Sequence, residues 1–120
     1  MAASILQITP ELWPSGYGEA IAMIDVAPER LVDCYGLELF EGADNLGYYR
    51  AAAIRLPSGR MLGLLHHVGA PYQGVEVHGD MHEDAQEAAA ELLQAMELPE
   101  SAVTWLRDAA VAPEPAGRAD

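Results

Sequence analysis

All four histidines lie in one stretch, LLHHVGAPYQGVEVHGDMHED, residues 64–84. Side chains alternate along a strand, so pairing Val68 with Val75 across the GAPYQG loop would sort these groups by face. His66 would join Leu64, Val68 and Val75 on the core side. His67, Glu76 and His78 would share the other side, with His67 directly opposite Glu76 and His78 one diagonal away. Two imidazoles and a carboxylate are donors that zinc accepts, so a metal-dependent enzyme built on His67, Glu76 and His78 is one reading. It is the least favoured. The chain has no HExxH or CxxC pattern, and Gly79-Asp80 keeps His78 and His82 off a common helical face. The preferred reading is a solvated polar face on which His67 hydrogen-bonds Glu76, with no metal, no cofactor and no catalytic residue.

Other chemistry fails sooner. Cys34 has no histidine near it in sequence, and a free cysteine is usually a small buried hydrophobe. The segment GYGEA lacks the basic residue and spacing of a phosphate-binding loop.

The elements that must position these residues follow from pattern. SILQI (4–8) and AIAMIDV (20–26) have strand composition, separated by a Pro/Gly-rich stretch that forbids regular structure. APERLVDCYG predicts a short helix, with Pro28 in its first turn, Gly36 as its C-terminal cap and Leu31, Val32 and Tyr35 on one face. LELFE (37–41) alternates as a strand. YYRAAAIRL and RMLGLLHHV flank Pro57-Ser58-Gly59, a tight turn with glycine where a positive φ is wanted. With VEVHG they make a three-stranded meander over 48–79. A long helix is expected from a cap at Asp80, boxed by Glu83, to about Glu97, burying Ala85, Ala88, Ala89, Leu92 and Met96. AVTWL reads as a last strand, with a short helix starting at Pro99 as its competitor. The expected fold is α+β: an antiparallel sheet around that meander, with one long and one short helix packed mainly on one face. One domain covers 1–111, and the Pro/Ala/Gly-rich 112–120 is expected to be a disordered tail.

Charge is the strongest global signal. Nineteen acids face six arginines with no lysine, for a formal net charge of −13. Such a field repels nucleic acid and anionic membranes and attracts basic proteins. No apolar run is long enough to span a bilayer, and the N-terminal residues lack the basic and apolar regions of a secretory signal. With the single Cys34, this leads to an expected cytoplasmic location. On the long helix, Glu83, Glu87 and Glu91 form an i, i+4, i+8 row with Asp84 beside it. Like charges at that spacing cost about 0.2–0.5 kcal/mol per step. An uncompensated ridge of this kind suits docking on arginines and lysines, and Tyr72 at a loop tip could add an aromatic anchor.

The run AAAELLQAMELPESAVTW (88–105), a helix followed by Pro-Glu and then Thr104-Trp105, resembles the end of bacterial immunity proteins that neutralise polymorphic toxins. The resemblance implies a small acidic α+β inhibitor of a basic partner. The leading expectation is therefore a non-enzymatic, acidic protein-binding domain of the immunity or antitoxin-type inhibitor class, contacting its partner through Glu83, Asp84, Glu87, Glu91 and Tyr72. A homo-oligomeric structural domain, such as a homodimer, is the alternative, because strand 61–68 is apolar on both faces.

Overall fold

The computed structural model describes residues 5–8, 19–45, 47–69, 74–80, 82 and 84–107. The expected tail at 112–120, Tyr72 and Glu83 lie outside the described residues. In chain order the elements are β1 (Leu6–Ile8), β2 (Glu19–Ile24), α1 (Pro28–Tyr35), β3 (Phe40–Asp44), β4 (Gly47–Arg55), β5 (Met61–His67), β6 (Val75–Gly79), α2 (Ala85–Met96) and β7 (Val103–Leu106). The strands form one antiparallel sheet in the order β1-β4-β5-β6-β2-β7. β3 pairs with residues 47–51 of β4, next to the stretch 53–55 that pairs with β1, so both lie along one edge of that long strand. This is the expected α+β fold, with the meander β4–β5–β6 at its centre.

Alternation divides the sheet into two unlike faces. Ala52, Ile54, Leu62, Leu64, Val75, Val77, Ala22 and Ile24 face the helices. They are buried in one cluster with Leu31 of α1 and with Ala85, Ala88, Ala89, Leu92 and Met96 of α2. The alanines let α2 come close to the sheet while Leu92 and Met96 fill the space beyond them. Leu31 is buried as expected, but Val32 is exposed, because eight residues of helix turn only a narrow stripe inward. Cys34, expected to be buried, is exposed.

The β4–β5 turn forms as expected, with Gly59 at φ 96°. Two boundaries differ from expectation. The strand expected over 37–41 begins only at Phe40. Leu37 instead closes the cap of α1, its N–H donating to the Leu31 carbonyl at 3.0 Å while Gly36 sits at φ 69°. Glu38 is then bound by a side chain in place of a strand: the Gln7 amide donates to its carbonyl at 2.7 Å and accepts from its N–H at 2.8 Å. The start of α2 also moves. Asp80 accepts the His82 N–H at 2.9 Å in a local turn, and Asp84 caps the helix by accepting the Glu87 N–H at 3.1 Å. At Pro99 the two competing readings both hold, since a 3-10 turn over Glu100–Ala102 leads into β7.

α2 ends with Glu97 at φ 60°, the position that usually carries glycine. The Glu97 and Leu98 N–H groups donate to the Gln94 and Leu93 carbonyls, which completes the cap despite the side chain. A carboxylate there also opposes the helix dipole. Glu97→Gly should raise unfolding stability by about 0.5–1 kcal/mol, read from urea titration.

Tyr35 ties the two helices together by donating its hydroxyl to the Met96 carbonyl at 2.7 Å. Burial pushes this phenol above its ordinary value of 10.0, against the opposite pull of Arg30. A raised folded-state value contributes stability that is complete below the unfolded value and is lost as pH rises through the folded one. Wild type should therefore lose stability between about pH 8 and about pH 11 that Tyr35→Phe does not lose, measured by chemical unfolding at both pH values.

Candidate functional site

The β5–β6 ladder runs Gly63↔His78, Leu64↔Val77 and Leu65↔Glu76. That lies two residues from the expected alignment, in which His66 stood opposite Val77. An even shift preserves which residues share a face but changes who meets whom. Val68 is exposed in the turn, its N–H donating to the Tyr48 carbonyl at 2.9 Å, so it does not oppose Val75.

His67, Glu76 and His78 do come together on the face away from α2. The arrangement is tighter than expected, and it is not solvated. Glu76 accepts from His67 Nδ1 at 3.0 Å on Oε2 and from His78 Nε2 at 2.8 Å on Oε1. His67 and His78 are only 6% and 9% exposed. Because an ionised carboxylate only accepts, both ring nitrogens are the N–H donors. Each carboxylate oxygen thus holds a different imidazole, and the donor atoms point at Glu76 itself. Among the described residues, no group of three or more His, Cys, Asp or Glu side chains is disposed to hold a metal ion. His66 lies on the helix-facing side with Leu64, as expected, half-buried, and its Nδ1 donates to the Gly74 carbonyl at 2.8 Å.

The surroundings of this triad are set by register. Phe40, Ala51, Leu65, Glu76, Met23 and Trp105 form one cross-strand row over six strands. Tyr49 in the neighbouring row meets His67 edge-on at a centroid distance of 6.0 Å. The same ring lies over Gly42, where any Cβ would strike it. Both faces of β5 are thereby covered, Leu62 and Leu64 on the helix side and Leu65 on the other. Among the described residues, the large apolar side chains left exposed on this second face are marginal: Leu6 at one edge, with Phe40, and Trp105 at the opposite edge.

The acidic helix face is differently placed. Asp84 and Glu87 are exposed on α2, but Glu91 is partly buried. Arg60, from the β4–β5 turn, reaches Glu91 at 2.9 Å and Glu87 at 3.6 Å, and the Ser58 N–H donates to Glu91 at 3.2 Å. The expected uncompensated ridge is therefore corrected at these two positions. The cation comes from a hairpin 31 residues away in sequence, which helical spacing could not reveal. Beside this clamp an open cleft of about 250 Å³ is lined by Pro57, Glu91, Gln94 and Ala95. Arg50–Glu29 at 3.6 Å and Arg107–Glu19 at 2.8 Å are further ion pairs between distant segments.

Among the described residues, no helix is long and apolar enough to cross a membrane. Comparison with protein-family models, curated proteins and solved structures finds no match.

The Arg60–Glu91 pair is only about one-fifth exposed on each side, so it should outperform an ordinary surface pair. A double-mutant cycle with Arg60→Met and Glu91→Gln should give a coupling of about 1 kcal/mol that shrinks in concentrated salt.

Proposed function

We infer that this chain is a non-enzymatic, cytoplasmic, acidic protein-binding domain that docks on a basic protein partner, in the manner of an immunity or antitoxin-type inhibitor. The observation that carries this reading is the direction in which its cations are turned. Arg50, Arg60 and Arg107 are engaged with acids of their own chain. Six arginines cannot in any case neutralise nineteen acids, so the field presented to a partner is strongly negative. Charge of this kind raises association rate and selects partners by sign, while apolar and aromatic contacts supply most of the affinity.

The docking residues are revised by the Arg60 clamp. Asp84 and Glu87 remain exposed on α2, and Glu91 serves partly to hold the hairpin against the helix. Nucleic acid and anionic membranes are disfavoured as partners by the same sign of charge. A second reading, a homodimer, is favoured by the exposure of Phe40 and Trp105 at the two ends of one row. Light scattering at high protein concentration separates the two, since a strict monomer removes the second.

The first reading is tested by capture from the host at low salt, followed by association kinetics with the protein recovered. A basic protein should be retained, and its association rate should fall steeply between low and high salt. Glu87→Lys combined with Gln94→Lys leaves the Asp84 cap intact and should slow association at least about tenfold at low salt. Recovery of no basic protein, or an association rate indifferent to both salt and the substitutions, removes this function.

A further inference from the structure

β7 stands at one end of the sheet, paired on its inner side with β2. That pairing fixes which backbone groups face outward. The Arg107 N–H donates to the Ile21 carbonyl at 2.8 Å, and Trp105 stands opposite Met23. Backbone groups of an antiparallel strand alternate between its two sides, so Trp105 and Arg107 turn theirs to β2 while those of Thr104 and Leu106 point away from it. Among the described residues no strand lies on that outer side. The opposite end of the sheet is better defended. β1 is three residues long and its Gln7 is tied to Glu38, and β3 carries Glu41 and Asp44 within its length. Charges and prolines blunt a strand edge against further pairing. β7 reads Val-Thr-Trp-Leu, with neither, and its Trp105 is 47% exposed on the face away from α2.

We propose that the outer edge of β7 is where a basic partner docks, by adding an extended cationic segment as a further strand beside Val103–Leu106; this rests on the reading of the chain as an acidic domain with a basic protein partner. The edge has an uncharged middle and acidic ends. Asp25 is exposed beside the start of β7, where its N–H donates to the Ala102 carbonyl at 2.7 Å, and exposed Glu100 lies three residues before Val103. Glu19 is exposed at the far end, where it meets Arg107 at 2.8 Å. A segment with β-branched residues at its centre and arginine or lysine at its ends matches that order. Its main chain would bond to Thr104 and Leu106, and its side chains on one face would pack on Trp105. Two outward residues offer few hydrogen bonds, so the indole and the flanking charges must supply the rest of the affinity.

The other strand that could pair here is β7 of a second copy. That copy carries the same formal charge of −13. A pairing four residues long offers little to set against repulsion of that size, and the repulsion is strongest at low salt. A cationic strand is drawn in by the same field that holds the copy off, so charge selects the occupant.

Amide hydrogen exchange on the full chain, read by NMR, tests this. The probe is a synthetic peptide of alternating valine and threonine with two arginines at each end. Its control is the same peptide N-methylated at every central residue, which keeps the charge and removes the strand's donors. In the free protein the Thr104 and Leu106 N–H groups should exchange at least about tenfold faster than those of Trp105 and Arg107. With about millimolar unmethylated peptide at low salt they should slow at least about tenfold, and with the methylated peptide they should not. Thr104→Pro removes an outward N–H, leaves the backbone ladder to β2 intact and should abolish the protection at Leu106. Equal binding of both peptides, or protection confined to α2 near Asp84 and Glu87, would overturn the edge while leaving an acidic surface for a basic partner. Slow exchange of Thr104 and Leu106 in the free protein would overturn it too, since the edge is then already taken, by a second copy where the protection grows with protein concentration. Protection by neither peptide would also overturn it, and salt-dependent capture of a basic protein decides the wider reading separately. The peptide comparison needs only the wild-type protein, so it stands even if Thr104→Pro does not fold.

Discussion

The shared core between α2 and the helix-facing side of the sheet holds the molecule in its present form. Leu64, Val75, Val77 and Ile24, from three adjacent strands, are buried in one cluster with the alanine stripe, Leu92 and Met96 of α2. A three-stranded meander alone has two wet faces and little stability. Covering one of them with a helix makes the strands cohere, and it forces every odd-even choice along them. Once Leu64 and Val77 point to the helix, Leu65 and Glu76 have to point away from it. The partly buried carboxylate of Glu76 is therefore a consequence of the apolar packing, and its bonds to the two histidines offset the cost of that burial. An unpaired buried carboxylate would cost several kcal/mol, whereas one that accepts from two imidazoles keeps its charge satisfied.

The same logic explains the arginines. Three arginines pair with acids far away in sequence: Arg50 with Glu29, Arg60 with Glu87 and Glu91, and Arg107 with Glu19. Arginine suits this work better than lysine, because its planar fork can engage more than one acceptor and loses less freedom per bond formed. Arg60 uses this capacity by spanning two turns of α2. A chain with no lysine keeps few cations for its surface and spends them on fastening a hairpin, a helix and an edge strand.

Much of the fold was legible because its signals are local. The Pro57-Ser58-Gly59 turn, the αL glycine after α1, the alanine stripe of α2 and the alternation of β4 and β5 are each written within a few residues. What was not legible depended on distance. The strand expected at Leu37 was displaced because its backbone is used by the α1 cap and by Gln7, which lies 31 residues earlier. The helix start moved from Asp80 to Asp84 because two aspartates four residues apart can each cap a turn, and the winner is set by which N–H groups each reaches. The histidine faces were assigned correctly while the pairings were not, since parity survives a two-residue slip and neighbours do not.

The misreading of the second face is the most instructive, because it came from treating polarity as a sign of exposure. His67, Glu76 and His78 looked like a solvated strand face because each would be content in water. In the structure they hydrogen-bond to one another, and polar groups that are hydrogen-bonded can be buried with little penalty. The sequence does contain a trace of this. A solvated strand face in a chain so rich in acids should carry several carboxylates or an arginine, yet between Met61 and Gly79 Glu76 stands as the sole carboxylate. One acid flanked by two imidazoles matches an acceptor with two donors, whereas a surface row has no reason to balance. Where donors and acceptors in a short polar stretch match, burial is the physical expectation, and the register decides only which atoms meet.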